Sequence, residues 1–242
     1  MEAIKTNHLT KRYKDKTAVK QLDLTIHEGE LYALLGVNGA GKSTTIKMLS
    51  CLTQPSGGDA EVLGNSIIKA ADKVKEIINV SPQETAVAAK LSVRENLEFI
   101  AKIYGFKGNE ARAKANEMIE KFDMEEIAGQ KAGTLSGGWQ RRLSIAMALI
   151  SEPKVLFLDE PTLGLDVLAR RELWKIIEKL KGNITVILTT HYLEEAEALS
   201  DRIGIMAKGQ LKAEGTAAEL KERAGTNDFE EAFIRIAEEA LK

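Results

Sequence analysis

Hydrophobic and polar residues alternate near the N-terminus. Leu22, Leu24 and Ile26 share one face of this period-two pattern, which is typical of a strand with one buried face. The segment 3–13 is its expected antiparallel partner, with a turn at 14–16. The pattern therefore predicts an N-terminal antiparallel β lobe.

Four short apolar runs without a polar face follow. They span residues 31–35, 77–80, 155–158 and 184–190. Such runs are typical of strands buried on both faces, as in a parallel sheet. Each one precedes a loop or a helix, which is the order found in α/β folds. We therefore predict an α/β fold with a mainly parallel sheet.

The region between the second and third runs is predicted to be helical. Ser92 and Glu95 have the spacing of a capping box, and Gly105 is expected to end that helix. Further helices are expected at 109–122 and after Gly138.

These patterns predict one domain, residues 1–224, and a C-terminal amphipathic helix within 225–242. A helical subdomain, about 84–151, is inserted into a core made of 1–83 and 152–224. The apolar stripe of the C-terminal helix is formed by Phe229, Phe233, Ile236, Ala237 and Ala240.

Composition excludes several classes of protein. Lys and Arg number 34 against 36 Asp and Glu, a net charge of -2, so we expect no nucleic-acid partner. One cysteine allows no intrachain disulfide and indicates a reducing compartment. The longest uncharged run, 182–193, is shorter than the about 20 residues of a membrane helix. The first residues lack the pattern of a signal peptide, so a soluble, cytoplasmic protein is expected.

A phosphate-binding loop follows the first apolar run. The segment 36–44 fits G-x-x-x-x-G-K-[ST], in which glycines let backbone N–H groups surround phosphate oxygens. Lys42 supplies a positive charge for the β- and γ-phosphates, and the Ser43 hydroxyl can bind Mg²⁺. A helix N-terminus, also favourable for anions, comes next. The predicted nucleotide-binding residues are Gly36, Val37, Asn38, Gly39, Ala40, Gly41, Lys42, Ser43 and Thr44.

Two carboxylates end the third apolar run, at the sheet edge where open α/β folds bind ligands. Adjacent strand positions point in opposite directions, so Asp159 and Glu160 can have different roles. Asp159 is the predicted Mg²⁺ ligand, and Glu160 is the predicted catalytic carboxylate that polarises a water molecule. The alternative, a solvated pair at a strand end, is disfavoured by the nearby phosphate loop.

The segment 135–142, LSGGWQRR, resembles the signature of ATP-binding cassette (ABC) ATPases. That family also has a phosphate loop. Its acidic strand is followed by a proline and a turn, which are matched in this chain by Pro161 and residues 164–166. The order of these motifs agrees with the family over nearly the whole chain. The resemblance implies a P-loop NTPase core and the hydrolysis of ATP to ADP and phosphate, coupled to transport.

The resemblance also assigns roles to isolated residues. Tyr13 would stack on adenine, Gln83 would act in catalysis and as a Mg²⁺ ligand, and His191 would be catalytic. Each has another interpretation: a hairpin aromatic, a solvated loop residue and a residue that merely precedes a helix. For Tyr13, family position favours the stacking role.

The signature segment implies a second subunit. Ser136, Gly137 and Gly138 begin a helix whose free N–H groups can bind an anion. One chain thus has two helix N-termini that can bind phosphate, but only one phosphate loop. In the family, the signature of one chain covers the γ-phosphate held by the other, so two ATP molecules lie between two chains of a homodimer or related heterodimer. Trp139 and Leu163 depart from the usual family residues at their positions.

Segments such as 91–97 and 191–196 are similar to those of the multidrug, antibiotic and polysaccharide exporter branch. That branch pairs an ATPase subunit with a separate transmembrane permease. It implies a location on the cytoplasmic face of the cell membrane, with the loop 84–91 facing the permease. The alternative function is a soluble ABC ATPase that acts on ribosomes or DNA. A P-loop kinase or GTPase is disfavoured by the signature and by the lack of a guanine-reading Asn-Lys-x-Asp motif.

Overall fold

A computed structural model describes residues 1–239 of the chain. The strands are β1 (Glu2–Tyr13), β2 (Lys16–Leu22), β3 (Thr25–His27), β4 (Leu31–Leu35), β5 (Gly57–Val62), β6 (Asn65–Ser66), β7 (Ile78–Ser81), β8 (Val155–Asp159), β9 (Thr185–Thr190), β10 (Arg202–Ala207) and β11 (Gln210–Gly215). The helices are α1 (Lys42–Leu49), α2 (Ala71–Ile77), α3 (Val93–Ile103), α4 (Asn109–Lys121), α5 (Gly137–Leu149), α6 (Val167–Glu178), α7 (Leu193–Leu199), α8 (Ala217–Ala224) and α9 (Phe229–Glu239).

The N-terminal lobe is an antiparallel sheet in the order β2-β1-β5-β6, with β3 also paired to β1. The pattern at Leu22, Leu24 and Ile26 correctly predicts burial of all three side chains. The expectation of one strand there is wrong, because the chain leaves β2 after Leu22 and pairs again with β1 as β3. Asp23 lies at this break, where its carboxylate accepts a 2.6 Å hydrogen bond from the His8 backbone N–H.

The second sheet has the order β11-β10-β4-β9-β8-β7, and only its β10–β11 pair is antiparallel. The four apolar runs become β4, β7, β8 and β9, so the prediction of a mainly parallel sheet is confirmed. The pattern did not predict β10, whose apolar run is interrupted by Gly204. Glycine is required there because a Cβ would lie 2.2 Å from the Tyr32 hydroxyl.

The parallel sheet is the middle layer of the molecule. In β4, Leu31, Ala33 and Leu35 pack into the core on the helical side. Tyr32 and Leu34 pack into the core shared with the N-terminal sheet. The central strand is therefore buried on both faces, which explains its uninterrupted apolar sequence.

Helices α3, α4 and α5 lie between β7 and β8 in the chain and pack on one another. The Ser92–Glu95 capping box is present, and α3 ends before Gly105, whose φ is 93°. The subdomain limits near residues 84 and 151 stay a prediction.

The C-terminal helix α9 begins at Phe229, after Gly225, which adopts a left-handed conformation that ends α8. Phe229 and Ile236 of its stripe are buried, while Ala240 lies outside the described residues.

Candidate functional site

A cleft of about 450 Å³, here called the nucleotide cleft, lies at the carboxyl ends of β4, β8 and β9. It brings together most of the residues predicted to bind nucleotide. Its lining residues are Tyr13, Lys16, Ala18, Asn38, Gly39, Ala40, Gly41, Lys42, Ser43, Thr44, Gln83, Glu160, Leu163 and His191. Gly36, Val37 and Asp159 adjoin the cleft without lining it.

The loop from β4 to α1 wraps around the Lys42 side chain. Lys42 Nζ donates hydrogen bonds to the carbonyl oxygens of Gly36 at 2.7 Å and Val37 at 3.4 Å. Gly41 begins α1 with a φ of 107°, a conformation that favours glycine. A Cβ on Gly36 would lie 2.3 Å from the Met206 carbonyl oxygen, so close packing also requires a glycine there. The loop is thus fixed by the hydrogen bonds from Lys42 and by its close packing against Met206 of β10.

Glu160 lies between a lysine and a histidine. Its Oε1 is 3.3 Å from Lys42 Nζ, and the two side chains are 7% and 5% exposed. Its Oε2 is 2.5 Å from His191 Nδ1. An ionised carboxylate only accepts hydrogen bonds, so with Glu160 ionised His191 Nδ1 is the donor in this contact. The buried Glu160 carboxylate at the cleft therefore contacts two hydrogen-bond donors, Lys42 and His191.

The separation of Asp159 and Glu160 has a different cause from the predicted strand alternation. β8 ends at Asp159, and Glu160 has a left-handed backbone with φ 50°. This conformation is uncommon for a residue with a side chain. The turn, rather than strand pleating, therefore directs the two carboxylates apart.

Asp159 is tied to two hydroxyl groups. Its Oδ1 accepts hydrogen bonds from Ser43 Oγ at 2.9 Å and from Thr189 Oγ1 at 2.6 Å. Thr189 is the residue of β9 directly opposite Asp159. Sequence reasoning missed Thr189, because only the pairing of β8 with β9 identifies it. The predicted Mg²⁺ ligands Ser43 and Asp159 are therefore adjacent.

Tyr13 and Gln83 lie at the rim of the cleft. Tyr13 is half exposed, and Lys11 Nζ lies 5.0 Å from the centre of its ring. The Gln83 side chain is exposed, but its backbone carbonyl accepts a hydrogen bond from Arg141 of α5. Arg141 also donates to the Pro82 carbonyl at 2.6 Å.

Arg141 was not predicted as a site residue, because it is far from Gln83 in the sequence. Burial lowers the pKa of its guanidinium group, although the charges of Asp159 and Glu195 oppose this shift. The residue links the signature helix to the loop that carries Gln83.

The signature residues lie away from the nucleotide cleft of their own chain. Ser136 caps α5 without a side-chain hydrogen bond to the helix, and Ser136 and Gly137 are exposed. Ser136, Gly137 and Gly138 do not line the cleft. Trp139 packs its ring 4.3 Å from the Arg142 guanidinium, which gives this departure from the family pattern a packing role.

The sequence matches the ABC transporter family over residues 19–163, more than half of the chain. The chain belongs to the ABC transporter family. It is 43% identical to the daunorubicin resistance ATP-binding protein DrrA3 of Streptomyces coeruleorubidus, over 92% of this chain and 71% of that protein. Among solved structures, an ATP-binding subunit of an ABC transporter has a TM-score of 0.84 and 26% identity, covering 97% of this chain and 99% of that one. A dimeric ATP-binding cassette, in a post-hydrolysis state bound to ADP and Pi, has a TM-score of 0.79 and 28% identity, covering 88% and 98%.

Membership of this family establishes the general function. The chain is an ATP-binding, ATP-hydrolysing subunit of an ABC transporter, and the comparisons do not support an enzyme that acts on ribosomes or DNA. Between residues 1 and 239, no helix has the length and apolar character needed to cross a bilayer.

Proposed function

We propose that this ABC subunit hydrolyses two ATP molecules between two cassettes and drives a drug or antibiotic exporter. The residue roles follow from the nucleotide cleft. The phosphate loop holds the β- and γ-phosphates, and Tyr13 stacks on the adenine. Glu160 polarises the attacking water, and His191 orients Glu160 through their 2.5 Å contact.

Lys42 has a second role in this proposal. Its Nζ pairs with Glu160 Oε1 at 3.3 Å, and a lysine so placed can turn toward phosphate oxygens instead. ATP binding would then release Glu160 from the ion pair. The carboxylate becomes available to a water molecule only when nucleotide is present, which limits unproductive chemistry.

The residues fit a Mg²⁺ ion at the phosphate end of the cleft. This ion prefers oxygen ligands and commonly binds one or two protein oxygens together with substrate phosphates. The oxygens of Ser43 and Asp159 are already 2.9 Å apart, and Gln83 lines the same cleft. The ion would neutralise charge on the phosphates.

The position of the signature residues is the observation that carries the proposal. Ser136 and Gly137 are exposed at the start of α5 and do not line the cleft of their own chain. Exposed N–H groups at the start of a 13-residue helix favour an anion. A second cassette can supply that anion as the γ-phosphate of its own ATP. The dimeric relative supports this arrangement.

Mixing two inactive variants tests the shared site. One preparation carries Lys42→Ala, and the other carries Ser136→Ala with Gly137→Asp. Each homodimer has a broken half in every site and should not hydrolyse ATP. In the mixed dimer, one site combines the intact phosphate loop of the signature variant with the intact signature of the Lys42 variant.

ATPase activity that appears on mixing, and rises with the concentration of both variants, is the expected result. In the matched control, each variant is mixed instead with a protein that carries Lys42→Ala, Ser136→Ala and Gly137→Asp together. That protein has neither an intact phosphate loop nor an intact signature, so it cannot complete a site. Activity that is restored equally by this control contradicts a site shared between chains.

We further propose that an apolar patch on α3 faces the transmembrane permease. Phe99 and Ile103 are 51% and 61% exposed, and Tyr104 is also exposed. Tyr104 lines a narrow cleft with Pro82 and Ala86, next to the predicted permease-facing loop 84–91. Exposed apolar patches of this kind mark interaction sites. An exporter function rests on the similarity to the daunorubicin resistance protein.

Membrane association tests this surface. Phe99→Glu with Ile103→Glu should shift the chain from the membrane fraction to the supernatant in cells that express its transporter. The ATPase activity of the purified variant should not change. Ile234→Glu, at an exposed apolar position on α9, is the control. Unchanged membrane association of the double variant refutes the assignment of the patch.

A further inference from the structure

Glu195 is a fully buried carboxyl group behind the nucleotide cleft. It lies on α7 and is 0% exposed. Its Oε1 accepts a 3.1 Å hydrogen bond from the Trp174 indole N–H of α6. Its Oε2 has no hydrogen-bond partner among residues 1–239. An unpartnered buried carboxylate oxygen is costly, so the group requires an explanation.

Two hydroxyl groups, each in a catalytic segment, face this carboxyl group. Thr162 follows Glu160 after one residue, and Thr190 immediately precedes His191. Thr162 Oγ1 is itself buried and unpartnered within the described part of the chain. Thr190 Oγ1 accepts a 2.9 Å hydrogen bond from the Tyr192 backbone N–H. Glu195 therefore lies between the segments that carry the proposed catalytic residues.

The surroundings favour the neutral acid. Burial raises the pKa of Glu195; the nearby hydroxyl groups of Thr190 and Thr162 and the hydrogen bond from Trp174 oppose this shift, and the charge of Glu160 adds to it. The guanidinium group of Arg141 is close enough to Glu195 for the two charges to interact. A neutral carboxyl group has one O–H donor. With the proton on Oε2, the carboxyl group can donate a hydrogen bond to Thr162 Oγ1, which also lacks a partner among the described residues.

We propose that Glu195, as an uncharged acid, is a positioning residue that ties the loop after Glu160 to the strand end before His191. The link holds both segments, and through them the contact between Glu160 and His191, in one arrangement. The inference rests on the proposed catalytic roles of those two residues. It predicts that hydrolysis depends on a hydrogen-bond donor at position 195 and not on a negative charge.

Substitutions at 195 test this in the full-length protein. Glutamine supplies an N–H donor in place of the O–H, so Glu195→Gln should keep kcat within about threefold of the wild type. Glu195→Ala removes the link, and misplaced catalytic groups can cost about 10²-fold in rate. We expect kcat to fall by about ten- to a hundredfold while the Kd for ATP changes little. Glu194→Ala, exposed on the same helix, is the control.

Thr162→Val removes the acceptor and keeps the side-chain shape. It should lower kcat, and combined with Glu195→Ala it should add no further loss, because both changes break one link. This variant and Glu195→Gln decide the question even if Glu195→Ala does not fold. The kcat ratio of wild type to Glu195→Gln should also stay constant with pH.

Three results overturn the proposal: a Glu195→Gln variant as slow as Glu195→Ala, a Thr162→Val variant with wild-type kcat, or a kcat ratio that changes with pH. Failure of the underlying site is distinguishable. It would appear as undiminished hydrolysis by Glu160→Gln, whatever the variants at 195 do.

Discussion

Replacing Glu160 by glutamine should separate two roles of one carboxylate. The change keeps the size of the side chain and removes its charge. Lys42 Nζ, 3.3 Å from Glu160 Oε1, then loses its counter-ion at a site where the two side chains are only 5% and 7% exposed. Folding stability and hydrolysis should both fall, for different reasons and by different amounts.

The loss of stability follows from the burial of the pair. Removing one partner of a buried ion pair typically costs about 3–5 kcal/mol. Lys42 keeps its 2.7 Å hydrogen bond to Gly36 and lies beside an open cleft, so we expect about 2 kcal/mol. For a chain of this length, that corresponds to a fall in Tm of roughly 4–8 °C. ATP phosphates can replace the missing charge, so nucleotide should raise the Tm of the variant more than that of the wild type.

Thermal melts with and without Mg-ATP measure the first effect, and steady-state ATPase assays measure the second. Hydrolysis should fall by about 10²–10⁴-fold. Glu2→Gln is the control, because its pair with Lys5 is 3.1 Å long but the side chains are 49% and 55% exposed, and such pairs contribute about 0–1 kcal/mol. A Glu160→Gln variant that melts like the wild type refutes the stabilising ion pair. Turnover within a few-fold of the wild type refutes the catalytic role.

Three further substitutions address the loops around the cleft. Lys42→Ala should abolish ATP binding in an equilibrium titration, because the phosphates lose their buried cation; retained hydrolysis would contradict the phosphate site. Gly36→Ala should destabilise the fold by about 1–3 kcal/mol in denaturant unfolding, since its Cβ would lie 2.3 Å from the Met206 carbonyl, and a wild-type midpoint would contradict this. Arg141→Lys cannot donate to the carbonyl oxygens of both Pro82 and Gln83. We therefore expect the variant to need a higher Mg²⁺ concentration for half-maximal ATPase activity. An unchanged half-saturating Mg²⁺ concentration would exclude this positioning role.

Local sequence signals predicted the parts of the fold and cleft that depend on neighbouring residues. The glycine spacing around Lys42 and the pair Ser92–Glu95 act within one turn of the chain, so their consequences are readable directly. The apolar run 155–158 predicted a buried strand for the same reason.

Contacts between distant segments could not be predicted in this way. Thr189 reaches Asp159 only because β8 and β9 pair in one register. Arg141 reaches the loop of Gln83 only because α5 packs against β7. The left-handed turn at Glu160 also has no signal in its own residue type. Register and packing are properties of the assembled sheet, and no single segment carries them.

The central position of β4 has a consequence for synthesis of the chain. This strand leaves the ribosome well before its neighbour β9, which is about 150 residues further along. At about 5–20 residues per second, roughly 8–30 seconds pass before the strand can be covered on that side. During this time a fully apolar segment lacks its native neighbour and is exposed to aggregation. Newly made chains should therefore need chaperone protection until β9 has emerged.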